Sequence, residues 1–136
     1  MATITVTHLA GDQFQIDARG HRLWVDQPGH DEQRGPSPTE LFVASLAACV
    51  GYVGARFLRE RGLPYDGLRV DCDWKMLAAR QPRVGRVRLS VTPPAEVPPE
   101  LRAPLQEALE HCTVHEALRE PPQVTISQVG VPAVVG

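Results

Sequence analysis

Alternating apolar and polar residues predict several short β-strands in this chain. Near the start, Ile4 and Val6 alternate with threonines, a period of two that is typical of a strand with one solvated face. Strand-like patterns also follow the predicted turns at residues 11–12 and 19–20, and further ones occur in the second half of the chain. The predicted strands are residues 2–8, 13–17, 21–26, 68–76, 84–92 and 124–129.

The only long apolar stretch, residues 41–55, predicts a central helix. Ser37 can cap its N-terminus, Pro38 fits the first helical position, and Glu40 completes a capping box. Gly62 marks its end. Because the uncharged stretch is about five residues too short to span a bilayer, we expect a buried helix and not a membrane span.

The interior of this predicted helix is rich in small residues. They recur at four-three-four spacing and form a stripe that would let another backbone come close: Ala44, Ala48, Gly51 and Ala55. A helix that is apolar on most sides must be covered on most sides. A symmetric homodimer would supply this cover.

Two shorter helices are predicted at residues 99–111 and 114–119. Because the strands and helices come in blocks and do not alternate, the pattern favours the α+β class. The chain has 136 residues, enough to bury a core. We therefore expect a single domain over residues 1–136.

The charge pattern does not favour a polyanionic partner. The formal net charge is −2, and the basic residues look scattered along the sequence, apart from Arg56, Arg59 and Arg61 at the end of the long helix, where cations suit the helix dipole. We expect no nucleic-acid partner and no membrane partner. Residues 1–7 lack a basic region followed by an apolar run, so we expect no signal peptide and a cytoplasmic location.

The three cysteines are the residues most suited to chemistry. Cys49 lies inside the apolar helix, where a free cysteine often serves only as a small buried residue. Cys112 makes a second reading possible, because peroxide chemistry needs a nucleophilic thiolate and a second thiol that traps the sulfenic acid. Cys72 lies between two aspartates on a predicted strand, which makes it a poor nucleophile.

A zinc site is a further alternative. Cys49, His111, Cys112 and His115 would supply four nitrogen and sulfur ligands. Their spacing matches no common zinc finger.

The two cysteine motifs resemble those of a known family. Residues 35–42 read GPSPTELF and are followed by AAC at residues 47–49, and residues 111–118 read HCTVHEAL. Together they resemble the OsmC/Ohr family of organic hydroperoxide reductases and osmotically inducible proteins. The order of the predicted elements also fits, so the resemblance covers nearly the whole chain.

The resemblance implies an α+β, OsmC-like fold with antiparallel sheets around a long central helix, assembled as an intertwined homodimer with active sites at the subunit interface. It implies that Cys49 is the peroxidatic thiol and Cys112 the resolving thiol. The implied partners are a small-molecule hydroperoxide and an external dithiol reductant. No metal or organic cofactor is needed.

The chain also departs from the hydroperoxide reductases. Those enzymes carry an arginine-paired glutamate ten residues before the first cysteine, where this chain has Thr39. Glu40 lies about 180° around the helix from Cys49, which favours the capping box as its role. Arg34, in the polar loop 27–36, is a candidate thiolate-activating residue, and the alternative is a solvated loop arginine without a catalytic role. The chain thus resembles a general OsmC-type member.

A binding protein on the same scaffold is the alternative function. In this interpretation the apolar helix and the loop 27–36 shape an interface pocket for a small acyl or aromatic ligand. The thiols would then have no catalytic role.

Overall fold

The structure, a computed structural model, describes residues 2–130 and shows a mixed α+β fold. The strands are β1 (Ile4–Ala10), β2 (Gln13–Ala18), β3 (His21–Val25), β4 (Arg69–Leu77) and β5 (Arg83–Thr92). The helices are α1 (Pro38–Glu60), α2 (Pro99–Leu109) and α3 (Thr113–Arg119). Most bounds differ from the predicted ones by one or two residues, which is the usual uncertainty at the ends of elements.

The strands form two antiparallel sheets. β1, β2 and β3 form a three-stranded sheet in sequence order, and β4 pairs with β5. Within residues 2–130, the three-stranded sheet makes at most a few contacts with the helices. The β4–β5 hairpin instead packs on α1, so the core lies between this hairpin and the helices.

The start of α1 confirms the predicted capping box. The Ser37 hydroxyl accepts a hydrogen bond from the Glu40 amide at 3.1 Å, and the Glu40 carboxylate accepts one from the Ser37 amide at 2.9 Å. The Ser37 amide bond is the largest of the effects that lower the pKa of Glu40. At the other end, Gly62 has a φ of 68°, a left-handed conformation that glycine adopts without strain and that ends the helix.

Two apolar clusters attach α1 to the rest of the chain. One contains Phe57 and Leu58 of α1 with Val97 and Leu105. The other contains Leu46 and Val50 with Cys112, and the inward side chains of β5 pack against it. The second cluster positions the thiol groups.

The small-residue stripe of α1 does not admit a second backbone within the chain. A Cβ atom at Gly51 would lie 3.3 Å from Val70 Cγ2, and one at Gly54 would lie 3.2 Å from Leu109 Cδ2. The glycines therefore make room for side chains of β4 and α2. By length and composition alone α1 could also cross a membrane, with a mean hydropathy of 1.8, but the core helix of a compact domain passes the same test.

The predicted strand at residues 124–129 is wrong for the single chain. This segment adopts no regular structure and pairs with no other strand among the described residues. Ile126 is 91% exposed. The alternating pattern indicates a strand only when a neighbouring strand offers hydrogen-bonding groups, and this chain places none beside it.

Candidate redox site

The structure brings Cys49 and Cys112 together, although 63 residues separate them in the sequence. Cys49 packs against the cluster formed by Leu46, Val50 and Cys112. Cys49 lies close enough to Cys112 to raise the pKa of the Cys112 thiol. All three cysteines are free thiols in this structure. Two thiols in contact can form a disulfide after only small movements of the backbone.

Cys112 occupies the N-cap position of α3. Its backbone is extended, with φ −88° and ψ 156°, and its sulfur accepts a hydrogen bond from the His115 amide at 3.4 Å. The predicted helix begins at Val114, so Cys112 was not expected to cap it. Burial raises the pKa of the Cys112 thiol, and the Cys49 thiol raises it further, while the His115 and Val114 amides oppose the shift. The thiol form of Cys112 is therefore favoured at neutral pH.

The two thiols differ in exposure. Cys112 is 1% exposed, whereas Cys49 is half-buried on the side of α1 that also presents Phe42 and Tyr52. In the single chain, Cys49 therefore retains solvent exposure that Cys112 lacks.

Cys72 lies apart from this pair. It faces Leu89 across the β4–β5 hairpin and is half-buried. Burial raises the pKa of its thiol, and the neighbouring Asp73 carboxylate raises it further. It is a structural residue by these criteria, as its sequence context predicts.

The suggested zinc ligands do not gather around one point. The His111 ring bonds instead to the Glu116 carboxylate at 3.0 Å, and Arg119 bonds to the same carboxylate at 3.1 Å. In the part of the chain that the structure describes, no three His, Cys, Asp or Glu side chains are arranged to hold a metal ion. The zinc alternative has no support in this geometry.

Arg34 lies in a loop that wraps around the buried Asp26 carboxylate. This carboxylate accepts hydrogen bonds from the Gln27 amide at 2.8 Å, the His30 ring at 2.8 Å and the Arg34 amide at 3.1 Å. The Asp26 amide also donates to the Pro36 carbonyl at 3.1 Å, which closes the base of the loop. Burial alone would raise the pKa of Asp26, but the three donors outweigh it and the pKa is lowered.

This anchoring holds the backbone of Arg34 but not its side chain. Among residues 2–130, the Arg34 guanidinium takes part in no hydrogen bond or ion pair. Within one chain, Arg34 is not part of the cluster in which Cys49 packs against Cys112. Asp26 was not among the site residues predicted from the sequence. The available signal was an aspartate between an apolar strand and a Gly/Pro-rich loop, a position where its side chain can bind nearby amides.

A cleft of about 730 Å³ lies beside the thiol cluster. It runs between α1, β5, α2 and the linker 93–97, with mostly apolar walls that include Val50, Leu89 and Leu105. His115 lies at its edge and also lines a smaller cavity next to Leu46. The cleft does not include the loop 27–36, so it differs from the pocket expected from the sequence.

Comparison with solved structures shows the same fold in bacterial proteins. A Psychrobacter arcticus protein assigned to an osmotic stress and detoxification response is 22% identical, with a TM-score of 0.76 and coverage of 86% of this chain and 88% of the other. The organic hydroperoxide resistance protein OsmC of Legionella pneumophila is 18% identical, with a TM-score of 0.64 and coverage of 86% and 89%. OhrB of Bacillus subtilis, an organic hydroperoxide resistance protein, is 22% identical, with a TM-score of 0.56 and coverage of 88% and 92%.

The family comparison agrees with the fold. No match is found among curated proteins. The family model described as "OsmC-like protein" matches residues 29–127, a range that contains α1, α2, α3 and both members of the thiol pair. With most of the sequence matched and the fold shared, the chain belongs to the OsmC-like protein family.

Proposed function

We propose that the protein is a thiol-dependent peroxidase that reduces organic hydroperoxides. The observation that carries the proposal is the contact between Cys49 and Cys112 inside one apolar cluster. Family membership supports the same role, because the structural relatives include proteins of hydroperoxide resistance. No metal or organic cofactor takes part in this chemistry.

The proposed reaction begins at the more exposed thiol. The Cys49 thiolate attacks the terminal oxygen of the hydroperoxide, so an S–O bond forms, the O–O bond breaks, and the alkoxide leaves as an alcohol after taking a proton. The Cys112 sulfur, after giving up its proton, then attacks the Cys49 sulfenic acid, and water leaves as the disulfide forms. An external dithiol reduces this disulfide and is itself oxidised to a disulfide.

We assign Arg34 the task of stabilising the Cys49 thiolate. Its guanidinium is uncommitted in the single chain, while its backbone is fixed by Asp26. A nearby cation stabilises a thiolate and increases its share at neutral pH. Replacing Arg34 with Lys should retain part of the rate of Cys49 oxidation, and replacing it with Ala should lower that rate.

We also propose an intertwined homodimer in the cytoplasm. The exposed side of α1 carries Tyr52, which is 62% exposed, and Phe42, which is 42% exposed. The apolar face of the three-stranded sheet also lacks a partner within the described chain. A second copy would cover both surfaces, and sedimentation equilibrium that returned the mass of one chain would contradict this assembly. A reducing compartment suits a protein with free thiols.

The direct test counts thiols before and after one equivalent of cumene hydroperoxide. We expect a loss of two thiols and about 2 Da per chain, reversed by dithiothreitol, because one disulfide removes two hydrogens. Cys49→Ser should abolish peroxide consumption, whereas the matched variant Cys72→Ser should retain the complete cycle. An unchanged thiol count in the wild-type protein would reject the peroxidase.

The large cleft favours a second candidate, a carrier of a small apolar ligand. Its volume of about 730 Å³ and its apolar walls suit an acyl or aromatic molecule. Native mass spectrometry would then reveal a ligand that co-purifies with the protein. This function replaces the peroxidase only if a bound ligand is found and no peroxide is consumed.

A further inference from the structure

The basic residues are concentrated on one hairpin. Of the 14 lysines and arginines, five lie between Lys75 and Arg88, a segment without a single Asp or Glu. These five residues, which we call the basic hairpin, are Lys75, Arg80, Arg83, Arg86 and Arg88. All 16 acidic residues therefore lie elsewhere, together with only nine basic ones. Although the net charge is close to zero, positive charge is concentrated on this hairpin and negative charge predominates in the rest of the chain.

The fold leaves these cations exposed and unpaired. All five side chains are exposed, and none of them takes part in an ion pair or side-chain hydrogen bond among residues 2–130. The register places Lys75 directly opposite Arg86. Like charges in facing positions destabilise a sheet. Asp73 is the single carboxylate that lines the same cleft, against three cations there, so an external anion would relieve the remaining repulsion.

Three of the five basic side chains, those of Lys75, Arg86 and Arg88, lie on the face of the hairpin that is turned away from the core. Val87 and Leu89 pack against the thiol cluster, so the alternating residues Arg86 and Arg88 point to the opposite face. Lys75, Arg86 and Arg88 line a shallow cleft of about 180 Å³ together with Asp73 and Trp74. The surface is therefore separated from the thiols by the sheet itself.

We propose that the basic hairpin is a docking surface for an acidic polypeptide segment, a role independent of the proposed thiol chemistry. Side chains at alternate positions of an extended segment are about 7 Å apart, the same spacing as Arg86 and Arg88 along β5. Carboxylates at that spacing can each accept paired hydrogen bonds from a guanidinium. Three of the four arginines of the basic hairpin belong to β5.

The negative charge on the rest of the molecule favours a short acidic partner over an extended polyanion. A duplex nucleic acid or an anionic vesicle extends well past the hairpin and would meet the acidic remainder of the molecule, which repels it. A short acidic polypeptide segment can contact the basic hairpin alone and need not reach the acidic surface beyond it. Asp73 lies within the cleft, opposite Arg88, and interrupts the positive surface that a continuous polyanion would need.

The test is the binding of a short, fluorescently labelled glutamate-rich peptide, measured by anisotropy at low and at physiological salt. The variant Arg86→Glu with Arg88→Glu should weaken binding at least about tenfold, since it replaces two attractive contacts with two repulsive ones. Arg59→Glu makes the same kind of charge change on an exposed position of α1 and should alter the affinity less than about twofold. Added salt should weaken the wild-type complex.

Lys75→Glu provides a second variant and should weaken the complex in the same direction. The reversed side chains are exposed. Arg86→Glu gives Lys75 a facing carboxylate, whereas Arg88→Glu places a carboxylate opposite Asp73, so the double variant exchanges one like-charged pair for another and circular dichroism should show an unchanged fold. The proposal is overturned if the charge reversals leave the affinity unchanged or if a glutamine-rich peptide binds equally well. Tighter binding of duplex DNA or of phosphatidylserine vesicles would also overturn it, as would self-association that the double reversal abolishes.

Discussion

The sulfur of Cys112 accepts a hydrogen bond from the backbone amide of His115 at 3.4 Å. The same sulfur lies against Cys49, so one side chain both begins α3 and forms half of the thiol pair. α3 has only seven residues, and none of them is fully buried. Its attachment to the core therefore depends strongly on the residue that caps it.

Replacing Cys112 with Ala should destabilise the fold by about 1–3 kcal/mol, because both the cap and a buried contact are lost. Urea unfolding under reducing conditions measures this change. Cys112→Ser should lower the stability by less, since a hydroxyl can still accept a hydrogen bond from the His115 amide. Cys72→Ala, a matched change at a half-buried strand position, should also cost less. Equal losses for Cys112→Ala and Cys72→Ala would show that the cap contributes nothing.

The stability supplied by Asp26 should depend on pH. Because folding lowers the pKa of Asp26, its carboxylate stabilises the fold above the unfolded-state pKa of about 3.9. This contribution is lost as the pH falls through the folded-state value. In Asp26→Asn, the side-chain amide would place N–H groups where the carboxylate oxygen accepts a hydrogen bond from the Arg34 amide. This variant should therefore be less stable than the wild-type protein at neutral pH.

The difference in urea midpoint between wild-type protein and Asp26→Asn should therefore be largest near pH 7 and shrink below about pH 4. Asp12→Asn, at an exposed turn, serves as the control. A difference that stays constant over this range would mean that the ionised carboxylate does not hold the loop.

Two glycine substitutions should have opposite outcomes. A Cβ atom at Gly35 would overlap the Trp24 carbonyl oxygen, so Gly35→Ala forces two backbone segments apart and should cost at least about 2 kcal/mol. At Gly51 the nearest atom is a methyl group of Val70 at 3.3 Å, which can move. Gly51→Ala should be neutral or stabilise α1 by up to about 1 kcal/mol. Thermal unfolding of both variants measures the contrast, and equal destabilisation would contradict it.

The capping box should affect stability without affecting thiol chemistry. Ser37→Ala should destabilise the protein by about 1 kcal/mol, because the hydroxyl no longer accepts the Glu40 amide. Glu40→Ala should also lower the urea midpoint, since the carboxylate caps the Ser37 amide. Neither change should alter the rate at which Cys49 reacts with cumene hydroperoxide. A large loss of that rate in Glu40→Ala would give Glu40 a catalytic role.

The local pattern of residues was sufficient to predict most of the helices and strands. Five strands and three helices lie close to their predicted positions, because alternation, helical periodicity, the Ser37 cap and the Gly62 terminator act within a few residues of chain. The segment 124–129 has an equally good alternating pattern and yet forms no strand. Strand formation also needs a neighbouring edge, which no local pattern contains.

Residue types and motifs likewise singled out Cys49 and Cys112 as candidate site residues, but their contact belongs to the tertiary structure. Spacing along the chain does not determine a distance across 63 residues. The packing of α3 on α1 brings the two cysteines together, buries Cys112 and leaves Cys49 half-buried. The same dependence applies to the basic hairpin. The sequence by itself contains the run of five cations without an acidic residue between residues 75 and 88, but only the antiparallel register of β4 and β5 places Lys75 beside Arg86 on a single face.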